Sequence, residues 1–159
     1  MPTVTLAFRR RQKNILGRLL NFFSGMKGFQ HVELVFPDGR AFSSTSLEKG
    51  RQDGCRFTTI HDLHDPKQWA CVALECTDGE LAVMMERAAY LAHVGARYDF
   101  AGIKAFINPF REHDPEKWFC SEVVEHLLDL AGIGKMREAA EDCTPNGMAK
   151  VYGATKLIA

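Results

Sequence analysis

The sequence predicts an α+β fold, a single domain over residues 1–159 in which helices pack against a central, mainly antiparallel sheet. Short segments of strand composition cluster in the first half of the chain and are joined by turns, whereas most helical segments come later. This grouping favours an antiparallel sheet over alternating strand–helix–strand units. A length of 159 residues, with 46% hydrophobic and 25% charged residues, suits one hydrophobic core.

Five segments predict strands because their residues alternate in polarity or are β-branched and aromatic. They are Thr3–Phe8, Phe29–Phe36, Arg40–Ser44, Cys55–Ile60 and Trp69–Cys76. The stretch Pro37-Asp38-Gly39 separates the second from the third and predicts the turn of a β-hairpin.

Apolar residues at helical spacing predict five helices. They are Arg9–Phe23, Asp78–Val94 behind an N-cap at Thr77, Tyr98–Ile107, Trp118–Leu130 closed by glycines, and a short last helix opened by Thr144-Pro145. Arginines and a lysine surround the apolar face of Arg9–Phe23. This helix either packs on the core with a solvated basic face or makes a peripheral contact with a membrane.

Composition narrows the function classes. The 20 basic and 20 acidic residues cancel, so no net charge draws the chain to nucleic acid. No apolar run is long enough to span a bilayer and no signal peptide pattern is present, which predicts a cytoplasmic protein.

Five cysteines without a signal peptide do not suggest a disulfide framework. His61 and His64 lack a third metal ligand and predict a solvated loop, so neither a metal nor another cofactor is expected. The oligomeric state stays open.

Cys120 and His31 are the candidate catalytic pair. A thiol nucleophile needs a base and a setting that favours the thiolate. Cys120 lies near the start of a predicted helix, where amide groups and the helix dipole favour negative charge. Two alternatives remain: Asp114-Pro115 starts the helix earlier, or Cys120 is an ordinary core residue on the apolar face of that helix. His31 and Glu33 share one side of a predicted strand. Placing two ionisable residues there is energetically unfavourable on a buried face unless the carboxylate orients the imidazole.

The segments HVELVF, YDFAGIKAF and KWFCSEVVEHLL, in this order, resemble the circularly permuted papain-like hydrolases of the NlpC-type superfamily, the YiiX and YebB type. In that group the histidine strand precedes the cysteine helix, whereas papain has the cysteine first. The similarity spans Phe29–Tyr152, and FCSE is its most specific part. The resemblance implies a central antiparallel sheet with the cysteine helix packed against it.

The resemblance also implies roles for individual residues. Cys120 matches the nucleophile and His31 the base. Glu33 is our choice for the orienting residue, although papain-like folds often take this group from the next strand, which here offers only Ser43 and Ser44. Tyr98 resembles a tyrosine that helps to line the oxyanion site, the alternative being a half-buried aromatic residue.

The predicted function is a thiol hydrolase that cleaves an amide or ester bond in a peptide or acyl substrate through an acyl-enzyme intermediate. Peptidoglycan-type peptides and lipid acyl groups are the candidates that the resemblance supplies, together with a phage or bacterial origin. Two alternatives stay open. One is an acyltransferase of the lecithin:retinol acyltransferase type, and the other is a non-catalytic papain-like binding or structural module.

Overall fold

A computed structural model of the protein describes residues 1–10, 28–45, 53–98, 117–136 and 143–154. Within these ranges the chain forms seven strands and three helices. The strands are β1 (Thr3–Arg10), β2 (Phe29–Val35), β3 (Arg40–Thr45), β4 (Gly54–Thr59), β5 (Trp69–Glu75), β6 (Arg97–Tyr98) and β7 (Lys117–Trp118). The helices are α1 (Asp78–His93), α2 (Cys120–Leu130) and α3 (Pro145–Tyr152). The predicted α+β class is confirmed.

The main sheet has five strands in the order β4-β3-β2-β1-β5, and every neighbouring pair is antiparallel. The five strands predicted from the sequence are these five, and β2 and β3 form the predicted hairpin, closed where the Phe36 N–H donates to the Arg40 carbonyl at 2.8 Å. The pairing of β2 with β3 is short, since it joins only Leu34 to Phe42 and Val35 to Ala41. Toward the start of β2 the two strands are therefore not paired in register.

The two faces of the main sheet are covered differently. On one face, buried apolar residues of the strands pack with those of α1, α2 and α3 in a single core. On the other face, a smaller cluster built around Val35, Ala41 and Trp69 is covered by Ile60 and Leu63 from the connection between β4 and β5. The alternation of strand side chains accounts for this division, because successive residues point to opposite faces.

Local signals fix the starts of α1 and α3, as predicted. The Thr77 hydroxyl accepts the Glu80 N–H at 3.2 Å, and the Glu80 carboxylate accepts the Thr77 N–H at 2.7 Å. This reciprocal cap satisfies two donors at the helix start. The Thr144 hydroxyl caps α3 with one bond, since it accepts the Gly147 N–H at 2.9 Å, and Pro145 is the first residue of the helix.

A buried carboxylate connects α2 with the segments that follow it. Glu125 accepts the backbone N–H groups of Lys135 and Met136 at 2.9 and 2.8 Å and the Tyr152 hydroxyl at 2.8 Å. Beside it along the helix, the Ser121 hydroxyl donates to the Cys143 carbonyl. Burial raises the pKa of Glu125. These bonds tie α3 to the helix that begins at Cys120.

Two predicted helices are wrong at their first residues. Arg9 and Arg10 belong to β1, because the backbone at Arg9 pairs with His31 of β2 on one side and with Trp69 of β5 on the other. The rest of the predicted helix Arg9–Phe23 lies outside the described residues. Tyr98 ends β6, which pairs in parallel with β7, and residues 99–107 also lie outside the described ranges.

The third correction concerns the cysteine helix. Trp118 belongs to β7 and Phe119 is the N-cap, so that α2 begins at Cys120 rather than at Trp118. Pairing of Trp118 with Tyr98 holds that residue extended and prevents an earlier start. None of the helices in the described ranges has the length and apolar character required to cross a bilayer.

Candidate active site

Cys120 is the first residue of α2 and is only 1% exposed. Phe119 adopts an extended conformation before it, and the Glu122 carboxylate accepts the Phe119 N–H at 2.9 Å. This reach-back bond fixes the turn that starts the helix, since a phenylalanine side chain offers no acceptor. The amide groups of the first turn have no acceptor within the helix, so the thiol lies at its positive end.

His31 and Glu33 lie two residues apart on β2, as predicted. The His31 Nε2 is 3.0 Å from the Glu33 Oε1, and Glu33 is only 3% exposed. Arg56 of β4 completes this arrangement with two bonds to the same carboxylate, 2.7 Å to Oε1 and 3.1 Å to Oε2. Glu33 thus holds the imidazole on one side and is held by a guanidinium on the other.

The imidazole and the thiol approach each other from the two faces of the sheet. Val32 and Leu34 point into the core that contains Cys120, so alternation along β2 directs His31 and Glu33 to the other face. The β2–β3 pairing ends at Leu34, so β3 is not paired in register with β2 beside His31. There the Ser43 hydroxyl donates to the Val32 carbonyl at 2.7 Å.

The ionisation of His31 is coupled to that of Glu33. Burial lowers the pKa of His31, but the electrostatic interaction and the hydrogen bond with Cys120, followed by the bond and charge of Glu33, raise that pKa to about 9. Burial raises the pKa of Glu33, but the bond and charge of His31, followed by Arg56, lower it to about 2. At neutral pH the site therefore holds an imidazolium between a carboxylate and the sulfur of Cys120.

The other four cysteines have a different environment. All five thiols are free. Burial raises the pKa of Cys55, to about 12, and also those of Cys71, Cys76 and Cys143. A raised thiol pKa leaves little thiolate at neutral pH, so these four thiols are poor nucleophiles.

Tyr98 lies beside the start of the cysteine helix. Its ring centroid is 5.7 Å from that of Phe119, and its strand β6 pairs with β7, which leads directly into α2. The side chain is partly buried. Tyr98 is thus near the nucleophile, and its role at an oxyanion site stays a prediction.

The sequence analysis missed two residues that support the site. Arg56 lies in the middle of a strand whose neighbours Cys55 and Phe57 pack in the core, so alternation alone places it on the face of Glu33. Asn146 of α3 accepts the Phe29 N–H at 2.8 Å, two residues before His31. Gly28 has a φ of 143°, and a Cβ there would collide with the Asn146 side chain.

His61 and His64 lie in the connection between β4 and β5. The segment with His61 and His64 forms turns in which both imidazoles are exposed. Its Asp62 carboxylate accepts the Trp69 indole N–H at 3.1 Å. In the ranges that the structure describes, no three histidine, cysteine, aspartate or glutamate side chains are placed to hold an ion together.

Comparisons of the chain with models of protein families, with curated proteins and with solved structures find no match. What the fold and the site define is a class: an α+β protein with a cysteine at a helix start, facing a histidine that a carboxylate orients. A function has to be argued from this geometry.

Proposed function

We propose that the protein is a thiol hydrolase of the circularly permuted papain-like type, which cleaves an amide or ester bond through an acyl-enzyme intermediate. The strongest support is the contact of Cys120 with His31, whose other ring nitrogen is held by Glu33. A core cysteine requires neither group, and burying ionisable side chains is unfavourable unless they serve one another. The order of histidine strand and cysteine helix is that of the permuted group.

In this mechanism His31 first donates a proton to the leaving group and later accepts one from water. Its Nε2 is bonded to Glu33, which leaves Nδ1 for Cys120. The thiolate attacks the acyl carbon, and the carbonyl electron pair moves to oxygen. When that pair returns, the bond to the leaving nitrogen or oxygen breaks and the imidazolium supplies its proton. His31 then takes a proton from water, which attacks the thioester and releases the acid and the thiolate.

The start of α2 supplies the groups that stabilise the oxyanion. The backbone N–H of Cys120 lies at the positive end of the helix and has no acceptor within it. Tyr98 is the second donor that we assign, on the basis of its position beside Phe119. Glu33 keeps the imidazole in the required orientation, and Arg56 keeps Glu33 ionised.

Thiol reactivity tests the proposal. We expect limiting iodoacetamide at about pH 6.5 to label Cys120 roughly tenfold or more faster than the other four thiols, because of the five only Cys120 is hydrogen-bonded to an imidazole that can take its proton. Intact mass and peptide mapping measure the label. His31→Ala should abolish the preference, whereas His64→Ala, which removes an exposed imidazole outside the site, should retain it.

The same preparation distinguishes the alternatives. A p-nitrophenyl ester should give a burst of nitrophenol and a stable mass increase on Cys120, followed by release of the acid in a hydrolase. Release that requires an added alcohol or amine would identify an acyltransferase. Slow and equal labelling of the five thiols, with no burst, would contradict catalysis and indicate the binding module.

A further inference from the structure

A cavity of about 220 Å³ opens on the sheet face opposite the helices. Its lining includes Arg9, Glu33, Thr59, His61, Asp62 and Trp69. The mechanism above uses only the carboxylate of Glu33 among these residues. Glu33 thus connects the cavity with the candidate site.

Arg9 lies directly beside the base. It is paired across β1 and β2 with His31 and across β1 and β5 with Trp69. Directly opposite residues of antiparallel strands project on the same face with their Cβ atoms about 5 Å apart. The guanidinium carbon stacks over the Trp69 ring at 5.5 Å. A ligand group held by Arg9 would thus lie next to the His31 side chain.

Within the described part of the chain, the two carboxylates that line the cavity already accept hydrogen bonds, whereas the Arg9 side chain donates none. Glu33 is held by two bonds from Arg56, and Asp62 accepts the indole N–H of Trp69. Among the described residues the Arg9 guanidinium has no acceptor, and its Nε is buried without a hydrogen-bond partner. A partly buried guanidinium without a hydrogen-bond acceptor among the described residues favours a ligand with anionic oxygens, because bonds to charged groups gain strength where water is excluded.

We propose that this cavity is a subsite for a carboxylate group, which Arg9 binds and Trp69 flanks. The planar fork of arginine matches a carboxylate. A doubly charged phosphate would meet more repulsion from Glu33 and Asp62, which line the same space. Where the carboxylate belongs to the acyl substrate, the inference rests on the proposed function and defines the substrate class as acyl groups with a distal acid.

Two esters of equal chain length test the substrate form of the subsite: the mono-p-nitrophenyl ester of glutarate, which is anionic, and p-nitrophenyl valerate, which is neutral. We expect Arg9→Gln to lower the ratio of their kcat/KM values roughly tenfold to hundredfold. Arg9→Lys keeps the charge but not the fork and should lie between. Arg40→Gln, at an exposed arginine paired with Asp38, is the matched control and should keep the wild-type ratio.

Binding without turnover separates this inference from the proposed function. In Cys120→Ala protein at constant ionic strength, glutarate should raise the melting temperature and neutral glutaramide should not, and Arg9→Gln should remove the difference. Glutarate binding without any thiol reactivity would leave the subsite standing and end the hydrolase proposal. Binding with an unchanged ester ratio would assign the subsite to a free carboxylate. A reactive Cys120 with neither effect of Arg9 would overturn the subsite.

Discussion

Replacing Arg56 by methionine is the sharpest test of how the site is held together. The Glu33 side chain is 4% exposed, and Arg56 gives it two bonds of 2.7 and 3.1 Å. Methionine fills similar space but donates no hydrogen bond to the carboxylate. Breaking a buried ion pair by removing one partner costs about 3–5 kcal/mol, because the remaining charge stays desolvated. We expect a loss of this size in the free energy of unfolding, measured with urea.

The neighbouring strand supplies a control for this change. Arg40 and Asp38 also form an ion pair, at 2.7 Å, but their side chains are 49% and 41% exposed. Arg40→Met should cost at most about 1 kcal/mol, because solvent screens such a pair. Adding Glu33→Gln to Arg56→Met should recover part of the loss by removing the stranded charge. If Arg56→Met and Arg40→Met cost the same, the reasoning from burial is wrong.

Two further predictions concern pH and the anchor of β2. The pKa of His31 is raised to about 9, so the imidazolium that protonates the leaving group persists below this pH, and kcat/KM should fall as the pH rises through it. Glu33→Gln removes a charge and a bond that raise this pKa, so a pH–rate profile should show the alkaline limb at lower pH; an unmoved limb would contradict the coupling. Asn146→Ala should cost about 1–3 kcal/mol in urea unfolding, because the buried Phe29 N–H loses its acceptor. Asn146→Asp, which keeps that oxygen, should cost less, and equal losses would show that the bond contributes little.

The parts of the fold that the sequence predicts correctly are those with local causes. The cap at Thr77, the proline after Thr144 and the turn after Phe36 each act within a few residues, and the structure has an element boundary at every one. The sequence predicts helices that include Arg9 and Tyr98, because their extended state depends on partners far along the chain. Backbone pairing on both sides holds Arg9 in β1, and no pattern in the neighbouring residues indicates this pairing.

The candidate site divides in the same way. Cys120, His31 and Glu33 could be selected because their residue types and positions suit thiol chemistry, and the structure brings the three together. Arg56 and Asn146 could not be selected, because their bonds span 23 and 117 residues of sequence and involve ordinary polar side chains. Candidate catalytic residues can be identified one by one from their residue type, whereas the residues that support them can be identified only when the arrangement of the strands is known.

The short β2–β3 pairing divides the main sheet into two ribbons, one of β5, β1 and β2 and the other of β3 and β4. His31 belongs to the first ribbon and Arg56 to the second. The bonds between Glu33 and Arg56 therefore connect the two ribbons, and the orientation of the imidazole depends on the angle between them. A substitution that changes this angle would misalign His31 while leaving every strand intact.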